Sequence, residues 1–142
     1  MGPLTLTTDA NHLVALDWLG GHSAPVQGLE AAVADQLAAY FDGTLTGFDV
    51  PLGGFASPFA EKFAHAMINI PLGETATYGE LAKTTGVSAQ AAGQACGANR
   101  IPIIIPCHRV MGAKGLTGYS GAGGVETKVW LLRHEGAGAF LL

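Results

Sequence analysis

Glycine and proline break this sequence at short intervals, and that punctuation confines it to brief strands and helices. Gly20-Gly21, Gly43, Pro51, Gly53-Gly54, Pro71, Gly86, Gly97 and Gly136 each stand where a patterned segment ends. The uninterrupted apolar runs are far short of the roughly 20 residues a membrane helix needs. Leu4–Thr7 and His12–Trp18 are rich in strand formers that alternate loosely, which predicts two strands. Val26, Leu29, Val33, Leu37, Tyr40 and Phe41 recur at helical spacing, and Gly43 follows as a stop. Residues 44–55 read as a connecting segment, so a sheet-and-helix domain is expected over 1–55 and a second domain over 56–142.

The second half opens on Ser57-Pro58, an N-cap followed by proline at the first helical position. Phe59, Phe63, Met67 and Ile70 then form an apolar stripe that Pro71 ends. Thr77 and Glu80 have capping-box spacing, which predicts a short helix to about Thr85, stopped at Gly86. Ser88 caps a further helix from Ala89 to Gly97, built almost wholly of small residues. Two short helices across a glycine turn suggest a helix-turn-helix, although helical hairpins of this length also occur in proteins that bind no DNA. Ile101–Ile105 is expected as a buried extended segment that delivers Cys107, and a last helix is expected from Glu126 to about Glu135. The fold class is thus α/β, with a mainly helical, winged-helix-like second part.

With 49% apolar residues, the 142-residue chain can build a core. Its start has neither a basic flank nor an apolar signal segment. Two cysteines without metal-ligand spacing make a disulfide scaffold a poor reading, and a reducing cytoplasm is the expected compartment. The net charge of −4 hides a division. Residues 1–55 carry six acids and no base, giving −6; residues 56–142 carry seven bases against five glutamates, giving +2. Only the second half suits a phosphate partner, and its charge is too small for strong nonspecific DNA binding.

Chemistry concentrates at Cys107. A cysteine attacks as the thiolate, so it needs a base or a positive field, and the adjacent His108 could serve as that base. On pattern alone, a cysteine after an apolar run is more readily a buried inert thiol. The wider string QACGANRIPIIIPCHRV (94–110) closely resembles the active-site segment of the O6-alkylguanine-DNA alkyltransferases. The likeness extends to TATYGELA (75–82), GYSG (118–121) and the K-x-W-L-L-x-H-E pattern from Lys128 to Glu135. In the first half it is looser, resting mainly on YFDGTLTGFDVPLG (40–53).

The resemblance implies irreversible transfer of an alkyl group from O6 of guanine in double-stranded DNA to Cys107, once per molecule. It implies His108 as a base acting through water and Glu135 holding the histidine tautomer. Asn99 would tie the turn carrying Cys107 to the recognition helix, and Tyr78 would assist departure of the guanine. Ala89 and Gln90 would meet DNA, while Tyr119 and Ser120 would line the base pocket, the target nucleotide being flipped out of the duplex. No cofactor, metal or membrane partner is implied, and a monomer is expected. One position departs from the family pattern. Seventeen residues before the cysteine, where the family usually places an intercalating arginine, stands Gln90. Weaker duplex binding or slower repair is the expected consequence. Arg100, where the family often has proline, could restore a phosphate contact.

Two rivals remain at this level. A non-transferring relative that only binds alkylated bases draws support from Gln90, and a Cys-His hydrolase would turn over repeatedly. His12, His22 and His65 lack cysteine partners for zinc. Cys96, Trp18 and Trp130 are expected as packing residues, and Lys83, Lys114 and Lys128 as solvated surface with occasional phosphate contact.

Overall fold

A computed structural model describes residues 4–9, 11–17, 28–112 and 125–137. The chain divides into two compact units, Met1–Phe55 and Ala56–Leu142, in a mixed α/β arrangement with five helices among the described residues. In the first unit, β1 (Thr5–Asp9) pairs antiparallel with β2 (His12–Asp17), with a register shift between Thr7 and Thr8. Alternation buries Leu13 and Ala15 on one face, and Leu16 joins them. Against both strands packs α1 (Gly28–Phe41), burying Val33, Leu37 and Tyr40, which lie near one face at helical spacing. Thr8 Oγ1 donates to Glu30 Oε1 at 2.7 Å and joins strand to helix. The segment after α1 is held by Gln36, whose side chain both donates to Asp49 O (2.9 Å) and accepts from Asp49 N–H (2.8 Å).

In the second unit, α2 (Pro58–Ile68) starts as its sequence dictates: Ala60 N–H donates to Ser57 Oγ, and proline occupies the first turn. Phe63, Ala64 and Met67 face inward. β3 (Ala76–Thr77) leads into α3 (Tyr78–Thr85), which carries a complete capping box between Thr77 and Glu80. Gly86 closes α3 at φ 77°, and Ser88 caps α4 (Ala89–Gly97) through Ala91 N–H. α5 (Val125–His134) follows, and Gly136 turns the chain at φ 79°. β4 (Val110–Met111) pairs in parallel with β3.

Ile101–Ile105 is not extended. Residues 101–105 form a buried turn in which Ile105 N–H donates to Ile101 O and Ile104 N–H to Pro102 O. Cys107 accordingly opens a 3-10 turn (Cys107–Arg109) rather than ending a strand. The reason lies in Asn99, whose amide fastens both ends of the segment, and in Pro102, which has no N–H for a ladder. Ile103 pays for the turn with φ 73°, a left-handed conformation that costs a β-branched residue roughly 1–2 kcal/mol. Complete burial of this run mimics the pattern of a core strand. Trp130 also departs from expectation: it is 42% exposed and stacks on His134 (ring centroids 5.0 Å, 13° between planes) instead of entering the core.

Candidate active site

Three consecutive residues of the 3-10 turn, Cys107, His108 and Arg109, are all buried and converge with α5. The turn is placed by short-range bonds: Cys107 N–H donates to Ile105 O, and Arg109 N–H to Pro106 O. Asn99, just beyond α4, donates from Nδ2 to Ile105 O (2.9 Å) and accepts from Ile101 N–H (3.0 Å). One amide therefore fixes the end of α4 against the turn that presents the sulfur.

Glu135 organises the opposite side. Its Oε2 lies 2.7 Å from His108 Nε2, while Arg109 reaches both oxygens, Nε to Oε1 at 2.8 Å and Nη2 to Oε2 at 3.0 Å. Arg109 Nη1 also donates to Ile70 O at 2.8 Å, tying the end of α2 to the cluster. Burial would raise the Glu135 carboxyl, but the hydrogen bonds and charges of His108 and Arg109 outweigh it and hold it at about 2. Burial pushes His108 below the usual imidazole range despite the carboxylate, so it is neutral near pH 7. An ionised Glu135 accepts the Nε2 proton, which leaves the lone pair on Nδ1. That atom is buried and has no hydrogen-bond partner among the described residues.

The thiol has its own surroundings. Cys96, on the inner face of α4, places its Sγ 3.8 Å from Cys107 O. Tyr78 opens α3, which packs on α4, and its hydroxyl acts to lower the Cys96 pKa. The neighbouring Cys96 thiol lowers the Cys107 pKa against the effect of burial, with Asn99 and the Lys128 cation assisting. Lys128 is fully buried and donates from Nζ to Val110 O at 2.6 Å. This overturns the reading of Lys128 as solvated surface.

Cys107, His108, Glu135, Asn99 and Tyr78 are thus brought together. Ala89 and Gln90 lie exposed in the first turn of α4. Tyr119 and Ser120 lie outside the described residues, as do Trp18, His22 and Lys114. The sequence reading missed Arg109, Lys128 and the contact made by Cys96. Lys128 was discoverable: it shares one helical face with Leu131, Leu132 and Glu135, and both leucines are fully buried. Among the described residues, no three His, Cys, Asp or Glu side chains gather as a metal-binding group, and no helix is long and apolar enough to cross a membrane.

Comparison with known proteins follows the same residues. The profile described as "6-O-methylguanine DNA methyltransferase, DNA binding domain" matches residues 58–137. A methylated-DNA–protein-cysteine methyltransferase of Mycobacterium tuberculosis is 43% identical over 145 residues, covering 95% of this chain and 87% of the relative. One from Methanosarcina acetivorans is 40% identical, covering 96% and 94%. The crystal structure of Mycobacterium tuberculosis OGT in complex with DNA superposes with a TM-score of 0.84 at 44% identity, over 97% of this chain and 89% of that one.

Proposed function

The chain belongs to the 6-O-methylguanine DNA methyltransferase family, and from that premise we propose how the buried cluster carries out the transfer. The protein repairs DNA by moving an alkyl group from O6-alkylguanine to a cysteine of its own. Cys107 is the acceptor. The observation that carries this assignment is the geometry of His108, whose Nε2 is held by Glu135 while Nδ1 keeps its lone pair inside the cluster.

His108 Nδ1 takes the thiol proton through a water, and the Cys107 sulfur attacks the alkyl carbon in line. The S–C bond forms as the C–O6 bond breaks, and the electron pair goes to the guanine. Tyr78 supplies a hydrogen bond or proton to the departing base. A thioether is a very poor leaving group, so each molecule acts once. Arg109 positions Glu135 and keeps it ionised, which in turn fixes the histidine tautomer. Asn99 holds the sulfur in register with α4. We read α3 and α4, joined at Gly86, as the helix-turn-helix, with Ala89 and Gln90 at its DNA-facing start; their exposure supports this. Tyr119 and Ser120 complete the base pocket in this reading. A lesion-binding protein without transfer is not favoured, because the thiol is present and its thiolate is stabilised.

Intact-protein mass after incubation with excess duplex containing O6-methylguanine tests the assignment. One gain of about 14 Da, stopping at one per protein and absent in Cys107→Ser, is expected for thioether formation. Repeated turnover, or DNA binding without any mass gain, would refute it.

A further inference from the structure

Alkyl transfer uses one sulfur, yet the cluster holds two. Cys96 and Cys107 are the only cysteines in the chain, both free, 5% and 3% exposed. Cys96 Sγ lies 3.8 Å from the Cys107 carbonyl oxygen, and each thiol shifts the acidity of the other. Asn99, just beyond α4, is hydrogen-bonded to both ends of the 101–105 turn that leads to Cys107. We propose that Cys96 and Cys107 form an oxidisable dithiol, in which a small peroxide converts the pair to a disulfide that reversibly protects the nucleophile. The inference rests on the closeness of two buried, free cysteines and shares with the proposed function only the nucleophilicity of Cys107.

The chemistry balances in two steps. The Cys107 thiolate attacks one oxygen of hydrogen peroxide; an S–O bond forms, the O–O bond breaks, and hydroxide leaves to become water. Sulfur is oxidised by two electrons to the sulfenic acid and the peroxide is reduced. The Cys96 sulfur then attacks the Cys107 sulfur; the S–S bond forms, the S–O bond breaks, and a second water departs with the Cys96 proton. Altogether two thiols and one peroxide give one disulfide and two waters.

The surroundings favour this order. The neighbouring Cys107 and burial raise the Cys96 pKa and keep it protonated and passive. The same contact lowers the Cys107 pKa, so Cys107 is the sulfur that reacts first, as the negatively charged thiolate. Oxidation of Cys107 removes that negative charge, and the Lys128 cation, which favours both thiolates, remains beside Cys96. Cys96 is thereby activated only after its partner has reacted. Burial of both sulfurs selects a small oxidant over a bulky disulfide. Without a second thiol close by, the sulfenic acid would advance to the irreversible sulfinic acid.

The test uses reduced, DNA-free protein treated with a several-fold molar excess of hydrogen peroxide, then denatured with N-ethylmaleimide and weighed intact. A loss of about 2 Da without maleimide addition, a Cys96–Cys107 linked peptide, and return of two labelled thiols after dithiothreitol are expected. Cys96→Ser and Cys96→Ala should instead gain about 32 Da at Cys107 and recover roughly tenfold less labelled thiol after dithiothreitol. Wild-type protein in which Cys96 stays labelled while Cys107 becomes sulfinic acid overturns the proposal. So does a pair that stays fully reduced, or a disulfide that links two molecules. The wild-type peptide map decides even if neither variant folds. Because no DNA is present, a failed result leaves the alkyl-transfer measurement untouched.

Discussion

At the scale of single residues, Glu135 carries more of this site than any other side chain. It is fully buried at its carboxylate, accepts from His108 and binds Arg109 through both oxygens. Removing one member of such a pair leaves the other charge buried and uncompensated, at about 3–5 kcal/mol. The same contacts make stability depend on pH. Glu135 titrates at about 2 in the folded chain against an ordinary 4.5. Its contribution is therefore fully present above about pH 4.5 and disappears as pH falls toward 2, on the order of 3 kcal/mol. His108 acts with the same sign: its folded pKa lies below 6.5, so the folded state binds fewer protons and stability declines once pH drops under that value. Urea unfolding of the wild type and Glu135→Gln from pH 7 to pH 3 should show the variant less stable by about 3–5 kcal/mol at pH 7, with the gap narrowing in acid. Parallel curves would remove the carboxylate from this account.

Among the elements, the α3–α4 pair depends most on one backbone angle. Gly86 sits at φ 77°, and a Cβ built there meets no atom within 4 Å. Space is available, so the cost of Gly86→Ala is conformational: about 1–2 kcal/mol from the left-handed geometry alone. Gly93 also has open space around it but lies inside α4 with no positive φ. Alanine there should stabilise the protein by about 0.5–1 kcal/mol, since it reduces the freedom of the unfolded chain. Denaturant midpoints measured side by side check both signs, and two shifts in the same direction would contradict the turn geometry.

Across the whole molecule, the division of charge is shallower at the surface than the sequence count implies. Two of the seven basic residues, Arg109 and Lys128, are buried and bonded internally. Lys62, Lys83, Arg100 and Arg133 are the exposed cations among the described residues. Few positive charges are thus left for phosphate, in a chain whose net charge is −4. Duplex affinity should accordingly fall gently with salt, with a log–log slope shallower than about −5, given about −0.9 per phosphate neutralised. Gln90→Arg should raise the single-turnover repair rate in duplex DNA, because the exposed position at the start of α4 gains a charge and a longer side chain. A steep slope together with an unchanged rate would show that neither charge count nor Gln90 limits DNA engagement.

Local signals in the sequence determined the helix starts at Ser57, Thr77 and Ser88, the stops at Gly86 and Gly136, and the two strands β1 and β2. Each depends on residues a few positions apart, so the chain states them directly. The PCHRV string likewise marked Cys107 and His108 without any coordinates. Tertiary structure alone decided that 101–105 bends into a turn, because burial looks the same for a turn as for a core strand and only Asn99 distinguishes them. It also decided that Lys128 and Arg109 point inward and that Cys96 touches Cys107 across eleven positions. Such contacts are set by which elements pack together. The partners that make a buried charge or a second thiol tolerable lie on other helices, beyond the reach of any local pattern.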